Sequence, residues 1–454
     1  MNKIVLIAGG AGLLVLAALG VNHANKYATV GTGYKALEVC NESFLANRPL
    51  KRILEEDFIR VPDIVHSISV DVDQDKKEVR AALGPLGKSR VVYRDGYACT
   101  NVRGELVDIP ALEPVANKEW TIADPAKHGF DTVALNAALD KVFENPLPNT
   151  RAMVFIRGGE LVAERYAPGF DRNMPMLSNS MAKTVSQLAV GAAIEEGLFT
   201  LNDRPSIDEW SGDDDPRREI TWRHMLQMQT GLEFDETSYV DPFADVPQMQ
   251  ILAHSSTQFA IDKPLIHPPG TFWSYATGTS NALQRGLRVA VEGAGMNYHS
   301  FARDQIFEPL GASSVVLTPD SSGEFIGGSY VYATPRDWAK LGQLMLQDGM
   351  WEEDRILPRR WSEFASSPAS ASNNLYGAQL WLNLPSSDIK TTKYFPVLPD
   401  TAYWFGGWQG QVVLIVPSLD MVIVHLGRTN PETELVPINE ALELVMPTLS
   451  SFQE

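Results

Sequence analysis

The sequence predicts an α+β fold, in which one antiparallel sheet is built from both ends of a large domain, residues 116–454. Residues 153–166 hold two β-type runs separated by Gly158 and Gly159, a pair that marks a tight hairpin turn. Residues 412–426 hold two more apolar runs around a polar turn. The segment between the hairpins has mostly helical patterns and long loops. These observations predict helices packed on the sheet and an inserted helical region.

A small α/β module is expected to precede this domain, in residues 27–115. Residues 37–54 have the apolar spacing of a helix. Residues 67–72 alternate between apolar and polar side chains, and residues 78–83 match them as a hairpin partner across a polar turn. Residues 90–94 are a candidate third strand.

The first 26 residues differ from the rest of the chain. Residues 4–21 contain no charged or strongly polar side chain, and as a helix they would span about 27 Å, barely the thickness of a bilayer core. We favour a retained membrane anchor over a cleaved signal peptide, for which residues 18–20 are a passable cleavage site. In both interpretations, the remainder of the chain is exported from the cytoplasm. We therefore expect a protein of the bacterial inner membrane facing the periplasm, or one secreted to the periplasm.

Cys40 and Cys99 are the two cysteines of the chain. An exported protein can oxidise them to a disulfide, which would close a loop of about sixty residues and contribute about 4 kcal/mol in a chain-entropy model. Two unpaired buried thiols are the alternative.

Composition excludes some classes of function. The formal charge of −18 disfavours binding to nucleic acid, because an acidic surface repels phosphates. The eight histidines show no metal-site spacing, so we expect neither a metal nor another cofactor.

Ser180 and Lys183 are the leading catalytic candidates. Residues 178–199 read as one helix with an apolar face, and a serine and a lysine three residues apart are neighbours on such a helix. A serine hydroxyl needs a base to become a nucleophile, and a lysine with a lowered pKa can serve. The spacing alone is weak evidence, because a second copy occurs at Ser387 and Lys390 in a polar stretch without helical pattern.

Tyr275 is the third catalytic candidate. It follows a Pro-Gly turn at residues 269–270 and precedes a helix expected to start near Thr279. A tyrosine held rigidly at such a turn can relay protons to a leaving group, although packing in the core is the alternative.

A glycine-rich segment, residues 403–411, runs into the last hairpin. Glycines on a strand edge let a substrate approach the backbone, and a backbone N–H there could stabilise an oxyanion; a strand bend is the alternative. The candidate oxyanion and substrate-binding residues are Phe405, Gly407, Trp408, Gly410 and Gln411.

These motifs, in this order, resemble those of the serine β-lactamase and penicillin-binding superfamily. The most similar branch is the class C-like one that holds esterases and 6-aminohexanoate-dimer (nylon oligomer) hydrolases. The similarity covers residues 120–450 and includes residues 177–184, 220–226, 230–232, 269–275 and 333–339.

The resemblance implies a β-lactamase-like fold and an acyl-enzyme mechanism. Ser180 would be acylated, Lys183 would accept and return its proton, and Tyr275 would act as base or acid. The backbone N–H of Ser180 and one near Gln411 would form the oxyanion hole.

Two departures from the family pattern bear on the substrate. Residues 275–277 read Tyr-Ala-Thr where Tyr-x-Asn is common, and residues 408–410 read Trp-Gln-Gly where Lys-Thr-Gly or His-x-Gly is common. The missing cation removes the usual partner of a penicillin carboxylate. The aromatic residues Trp404, Phe405 and Trp408 suit an uncharged, apolar acyl group. A small-molecule ester or hydrophobic amide is therefore the expected substrate.

Three rival functions remain open. The first is a β-lactamase or D-Ala-D-Ala carboxypeptidase. The second is a membrane-tethered sensor or scaffold that kept the fold and lost turnover. The third is an α/β-hydrolase with Ser280 as nucleophile, since residues 278–282 partly resemble a nucleophile elbow and His425 lies downstream.

Overall fold

The fold is described from a computed structural model of the chain. The structure describes residues 2–144, 149–238, 241–389 and 392–450, without the side chains of residues 2–19 and Pro431.

The N-terminal module is a long helix packed on a four-stranded antiparallel sheet of order β1-β2-β3-β4. Its elements are α1 Asn2–Phe44, α2 Leu50–Glu56, α3 Asp63–His66, β1 Ser69–Asp73, β2 Glu78–Leu83, β3 Leu86–Val92 and β4 Thr100–Asn101. The expected hairpin of β1 and β2 is confirmed, with Val72 opposite Val79. The helix expected over residues 37–54 is wrong in its bounds, because α1 ends at Phe44 and α2 begins only after Pro49. A proline disfavours helical geometry in the residue before it.

A disulfide ties the long helix to the end of the module's sheet. Cys40 of α1 and Cys99, just before β4, are bonded with their Cα atoms 6.2 Å apart. Both cysteines are fully buried among the apolar side chains that α1 lays on β2 and β3.

The larger domain contains a six-stranded antiparallel sheet of order β12-β13-β14-β15-β5-β6. The strands of the domain are β5 Thr150–Arg157, β6 Glu160–Tyr166, β7 Met176–Leu177, β8 Val316–Leu317, β9 Val331–Ala333, β10 Met350–Trp351, β11 Asp354–Arg355, β12 Trp381–Leu382, β13 Tyr403–Gly407, β14 Gln411–Val416 and β15 Met421–Gly427. Those outside the large sheet form a three-stranded sheet of order β7-β9-β8 and a two-stranded sheet of β10 and β11. Strand β15 pairs with β5, so the two predicted hairpins join into one sheet made from both ends of the domain. The predicted fold class is confirmed.

Helices cover both faces of this sheet. The helices of the larger domain are α4 Thr132–Glu144, α5 Ala182–Glu195, α6 Trp222–Leu226, α7 Asp245–Pro247, α8 Ser256–Ile261, α9 Thr277–Gly293, α10 Tyr298–Ala302, α11 Glu308–Leu310, α12 Pro335–Leu346, α13 Trp361–Ala365 and α14 Val436–Val445. Side chains alternate along β5, so that Val154 enters the core on the side of α5 and α12, and Phe155 enters the core beside α4 and α14. The larger core supports the helices that carry the candidate site.

A buried ion cluster joins the module to the larger domain. We define it by three carboxylates and three guanidinium groups: Glu38, Glu42, Asp57, Arg48, Arg151 and Arg428. The carboxylates and Arg48 belong to the module, whereas Arg151 lies on β5 and Arg428 directly follows β15. The module therefore neutralises two buried cations of the larger domain.

Within the described residues, no helix is both long enough and apolar enough to span a membrane. The side chains of most of the predicted anchor, residues 4–19, lie outside that description.

Candidate active site

Ser180 lies in a short turn at the start of a buried helix. The single helix expected over residues 178–199 is in fact a 3-10 turn, Asn179–Met181, followed by α5 from Ala182 to Glu195. Asn179 has a positive φ of 45°. Asparagine tolerates this conformation better than most residues, and it turns the chain sharply just before Ser180.

The Lys183 ammonium group lies within hydrogen-bonding distance of the Ser180 hydroxyl. Lys183 Nζ is 3.0 Å from Ser180 Oγ, 3.1 Å from Thr277 Oγ1 and 3.0 Å from the Gly328 carbonyl oxygen. The lysine side chain is almost completely buried. The expected proximity of Ser180 and Lys183 is therefore present, and two further contacts fix where the amine points.

Burial increases the fraction of Lys183 that is neutral, and thus able to accept a proton, near neutral pH. Desolvation lowers the pKa of Lys183 from 10.5 to about 8, and the nearby carboxylate of Glu236 partly opposes this effect. A lower pKa raises the fraction of neutral amine near neutral pH, which is the form that can accept a proton.

Glu236 and Thr277 belong to the site, although sequence reasoning missed their roles. The backbone N–H and the hydroxyl of Thr277 both donate to the Glu236 carboxylate, the hydroxyl over 3.1 Å. Burial raises the pKa of Glu236, while Lys183 and the Thr277 N–H lower it. The sequence signal for Thr277 was its position two residues after Tyr275; Glu236, 41 residues earlier in a loop, carried no signal.

Tyr275 lies beside the Ser180–Lys183 pair. Its ring stacks on Trp381 with centroids 5.3 Å apart and meets Tyr376 edge-on at 5.7 Å. Lys183 Nζ is 4.8 Å from the centroid of the Tyr275 ring, close enough for a cation–π contact. Helix α9 begins two residues earlier than expected, at Thr277, so Tyr275 is fixed between the Pro-Gly turn and this helix.

The glycine-rich segment packs directly against the turn that holds Ser180. Asn179 Nδ2 donates to the Trp408 carbonyl oxygen over 2.7 Å. A Cβ atom on Gly407 would lie 2.2 Å from the Ser178 carbonyl oxygen, so only glycine allows this approach. Gly407, Trp408 and Gln411 line a cavity together with Ser180.

Two of the predicted substrate-binding residues, Phe405 and Gly410, are not in the lining of this cavity. Phe405 is fully buried in the core, because it faces the side of β13 opposite Trp404. The backbone N–H groups of Gln409 and Gly410 both donate to the Glu434 carboxylate. The end of β13 therefore approaches Ser180, whereas the tip of the turn that follows it is held by Glu434.

The cavity beside Ser180 has aromatic walls. This aromatic cavity has a volume of about 200 Å³ and is lined by Ser180, Tyr275, Trp381, Tyr394, Trp404, Gly406, Gly407, Trp408, Gln411, Val412, Glu434 and Leu435. Among these lining residues, all within the described chain, there is no lysine or arginine. Burial raises the pKa of Glu434, the one acidic residue in the lining, to about 7.

Ser280 is not placed to act as a nucleophile. It is fully buried inside α9, where its hydroxyl donates to Gln379 Oε1 over 2.7 Å. His425 is likewise buried in β15, where it contacts Thr150 and the Gly410 carbonyl oxygen. The alternative of an α/β-hydrolase is wrong. Of the second Ser-x-x-Lys copy, Lys390 lies outside the described residues.

A family model described as Beta-lactamase matches residues 148–445, more than half of the chain. The chain belongs to the beta-lactamase family. The resemblance inferred from the motifs is thereby confirmed.

Hydrolases are among the relatives of this family member. It is 24% identical over 361 residues to the 6-aminohexanoate-dimer hydrolase of Paenarthrobacter ureafaciens, covering 71% of this chain and 87% of that protein. A putative 6-aminohexanoate-dimer hydrolase from Bacillus anthracis has a similar structure, with a TM-score of 0.53 and 20% identity over 73% of this chain and 90% of that one. EstCE1, a hydrolase with promiscuous acyltransferase activity, aligns with a TM-score of 0.51 and 15% identity over 69% of this chain and 98% of that one.

Proposed function

We propose that this protein is a serine hydrolase that cleaves an uncharged ester or amide through an acyl-enzyme on Ser180. The observation that carries the proposal is the distance of 3.0 Å between Lys183 Nζ and Ser180 Oγ, with the lysine buried and its pKa lowered to about 8. A neutral lysine that contacts a serine hydroxyl is an activating base for that hydroxyl.

The surroundings of Lys183 favour this role when the amine is neutral. The neutral amine has two hydrogens, which match the two acceptors Gly328 O and Thr277 Oγ1. Thr277 Oγ1 is an acceptor because its own hydrogen is donated to Glu236. The lone pair of the amine is then left for the hydroxyl hydrogen of Ser180.

In the proposed reaction, Ser180 Oγ attacks the substrate carbonyl carbon as its proton passes to Lys183. The backbone N–H of Ser180 and one in the Gly407–Trp408 segment stabilise the oxyanion, in place of the donor expected near Gln411, because Gly407 packs against the residues next to Ser180. The proton returns through Lys183 and Tyr275 to the leaving alcohol or amine, and the carbon–heteroatom bond breaks. Water then attacks the acyl-enzyme by the same route, which releases the acid and restores Ser180.

The lining of the aromatic cavity supports an uncharged substrate. A substrate carboxylate placed in this cavity would meet Glu434 and no lysine or arginine among its described lining residues. This supports an ester or apolar amide over a penicillin or a D-Ala-D-Ala peptide, whose carboxylates call for a cationic partner.

Labelling with a fluorophosphonate probe tests the nucleophile. We expect wild-type protein to be labelled, and Ser180→Ala to be unlabelled with an unchanged thermal unfolding temperature. Ser387→Ala is a matched control that should label like wild type, because Ser387 is exposed on a loop. Wild-type protein that resists both the probe and p-nitrophenyl esters would favour the non-catalytic scaffold. Hydrolysis of nitrocefin instead of esters would favour a β-lactamase.

A further inference from the structure

A second and larger cavity also reaches Ser180, and the N-terminal module forms one side of it. This apolar cavity has a volume of about 600 Å³. On the module side, its wall is the face of α1 that carries Tyr27, Ala28, Gly31 and Tyr34, together with Ile68. These α1 residues recur at the spacing of one helix face, and small side chains on that face leave the space open.

The opposite wall belongs to the larger domain. It includes Leu177, Val246, Ile251 and Tyr330, and Ser180 is also in the lining. The nucleophile therefore lies where the aromatic cavity and the apolar cavity meet, since Ser180 is in the lining of both. A substrate attacked by Ser180 can place one arm in each cavity.

The position of Tyr275 indicates which cavity holds the leaving group of the substrate and which holds its acyl group. Tyr275 lines the aromatic cavity and is not part of the apolar lining. The leaving group must be next to the groups that return its proton, which are Lys183 and Tyr275. The leaving group is thus directed to the aromatic cavity and the acyl group to the apolar cavity, whereas the sequence had suggested that the aromatic residues hold the acyl group.

We propose that the N-terminal module is part of the substrate-binding site and that the apolar cavity holds a straight aliphatic acyl chain of the substrate. This inference rests on the proposed function and specifies its substrate class. Most of the described lining is aliphatic or aromatic, and its charged residues already have partners in the protein: Arg428 pairs with Glu38, and Arg60 donates to the Arg428 carbonyl oxygen. Each methylene moved from water into such a space gains about 0.8 kcal/mol, or about four-fold in kcat/KM.

The chain-length dependence of the two ester arms tests the proposal. The first series is p-nitrophenyl acetate, hexanoate and decanoate, and the second is methyl, hexyl and decyl acetate. We expect kcat/KM to rise by two to four-fold per methylene in the acyl series, and by much less in the alcohol series. A flat or falling acyl profile, or a steeper alcohol profile, overturns the inference while leaving the hydrolase itself intact. Absence of activity and of probe labelling would instead remove the proposed function.

A pair of matched variants of α1 tests the contribution of the module. Gly31 lines the apolar cavity, and a Cβ there would meet only the end of the Ile68 side chain at 3.1 Å. Gly31→Leu should fill the space and lower the ratio of decanoate to acetate kcat/KM at least ten-fold. Gly20→Leu makes the same change in the same helix with nothing within 4 Å, and should keep the wild-type ratio.

An equal ratio of decanoate to acetate kcat/KM in Gly31→Leu and Gly20→Leu would show that the acyl chain does not bind against α1. Both replacements remove a helical glycine, so loss of folding through helix propensity is not expected. Should Gly31→Leu nevertheless fail to fold, labelling rates of wild type with ethyl and decyl fluorophosphonates decide: a slower or equal rate for the decyl probe refutes the inference.

Discussion

The substitution Glu236→Gln isolates the electrostatics that set the basicity of Lys183. The Glu236 carboxylate raises the pKa of Lys183 and thus works against the effect of burial. Thr277 Oγ1 is 3.1 Å from Lys183 Nζ and 3.1 Å from Glu236 Oε2, so the two charges are no more than about 6 Å apart. Glutamine keeps the shape of the side chain and removes the charge.

The magnitude follows from Coulomb's law. At about 6 Å and an effective dielectric constant of 20 to 40, the attraction is about 1.4 to 2.8 kcal/mol, which corresponds to a tenfold to hundredfold change in the protonation equilibrium. Loss of this attraction destabilises the ammonium form. The neutral, catalytically competent amine should therefore appear at lower pH in Glu236→Gln than in wild type.

The assay is the pH dependence of kcat/KM for p-nitrophenyl acetate, corrected for the background rate with Ser180→Ala. For wild-type protein, kcat/KM should rise with pH and reach half its plateau near pH 8, because the base is neutral above the pKa of Lys183. In Glu236→Gln the midpoint should fall by at least one pH unit. Glu233→Gln, an exposed glutamate of the same loop, should keep the wild-type midpoint. A midpoint that stays in place or rises in Glu236→Gln would refute the assigned electrostatics.

Three further changes probe other parts of the structure. Tyr275→Phe keeps the ring stacking and loses the hydroxyl, so kcat/KM should fall about 10²-fold for alkyl esters. The loss should be smaller for p-nitrophenyl esters, because their leaving group needs little protonation, and equal losses for both ester types would contradict a proton relay. Gly407→Ala places a methyl group 2.2 Å from the Ser178 carbonyl oxygen, so thermal unfolding should show a free energy of unfolding lower by about 1–3 kcal/mol, and kcat/KM should fall. Unchanged stability would argue against this close approach. Reduction of the Cys40–Cys99 disulfide, which spans 59 residues, should lower the free energy of unfolding by about 4 kcal/mol in urea titrations, and an unchanged urea midpoint would refute its stabilising role.

The parts of the fold that could be predicted are those with a local signature. The Gly158-Gly159 pair and the alternating runs around it specify a hairpin within seventeen residues, and that hairpin is β5 and β6. Ser180 and Lys183 could be found because a helical turn brings residues three apart together. In each case the sequence separation is short, so the geometry follows from the secondary structure alone.

The missed features depend on contacts between distant segments. Glu236 reaches Lys183 through Thr277, and Trp381 stacks on Tyr275 from more than a hundred residues further along the chain. No periodic pattern reports such contacts. Phe405 was misplaced for a related reason: a strand's alternation tells which residues share a face, but tertiary packing decides which face meets the substrate.

The buried ion cluster links the N-terminal module to the larger domain through ion pairs. Arg428 pairs with Glu38 and Asp57 of the module, and Arg151 pairs with Asp57. A chain without the module would lose all three carboxylates of the cluster, so Arg151 and Arg428 would be left without these partners close to the turn that holds Ser180. Arg428 also lines the apolar cavity beside Ser180. Removal of the module would thus replace an apolar wall by unpaired charge at the place where the acyl chain is proposed to bind. Substitutions within α1 therefore separate substrate binding from stability in a way that truncation does not.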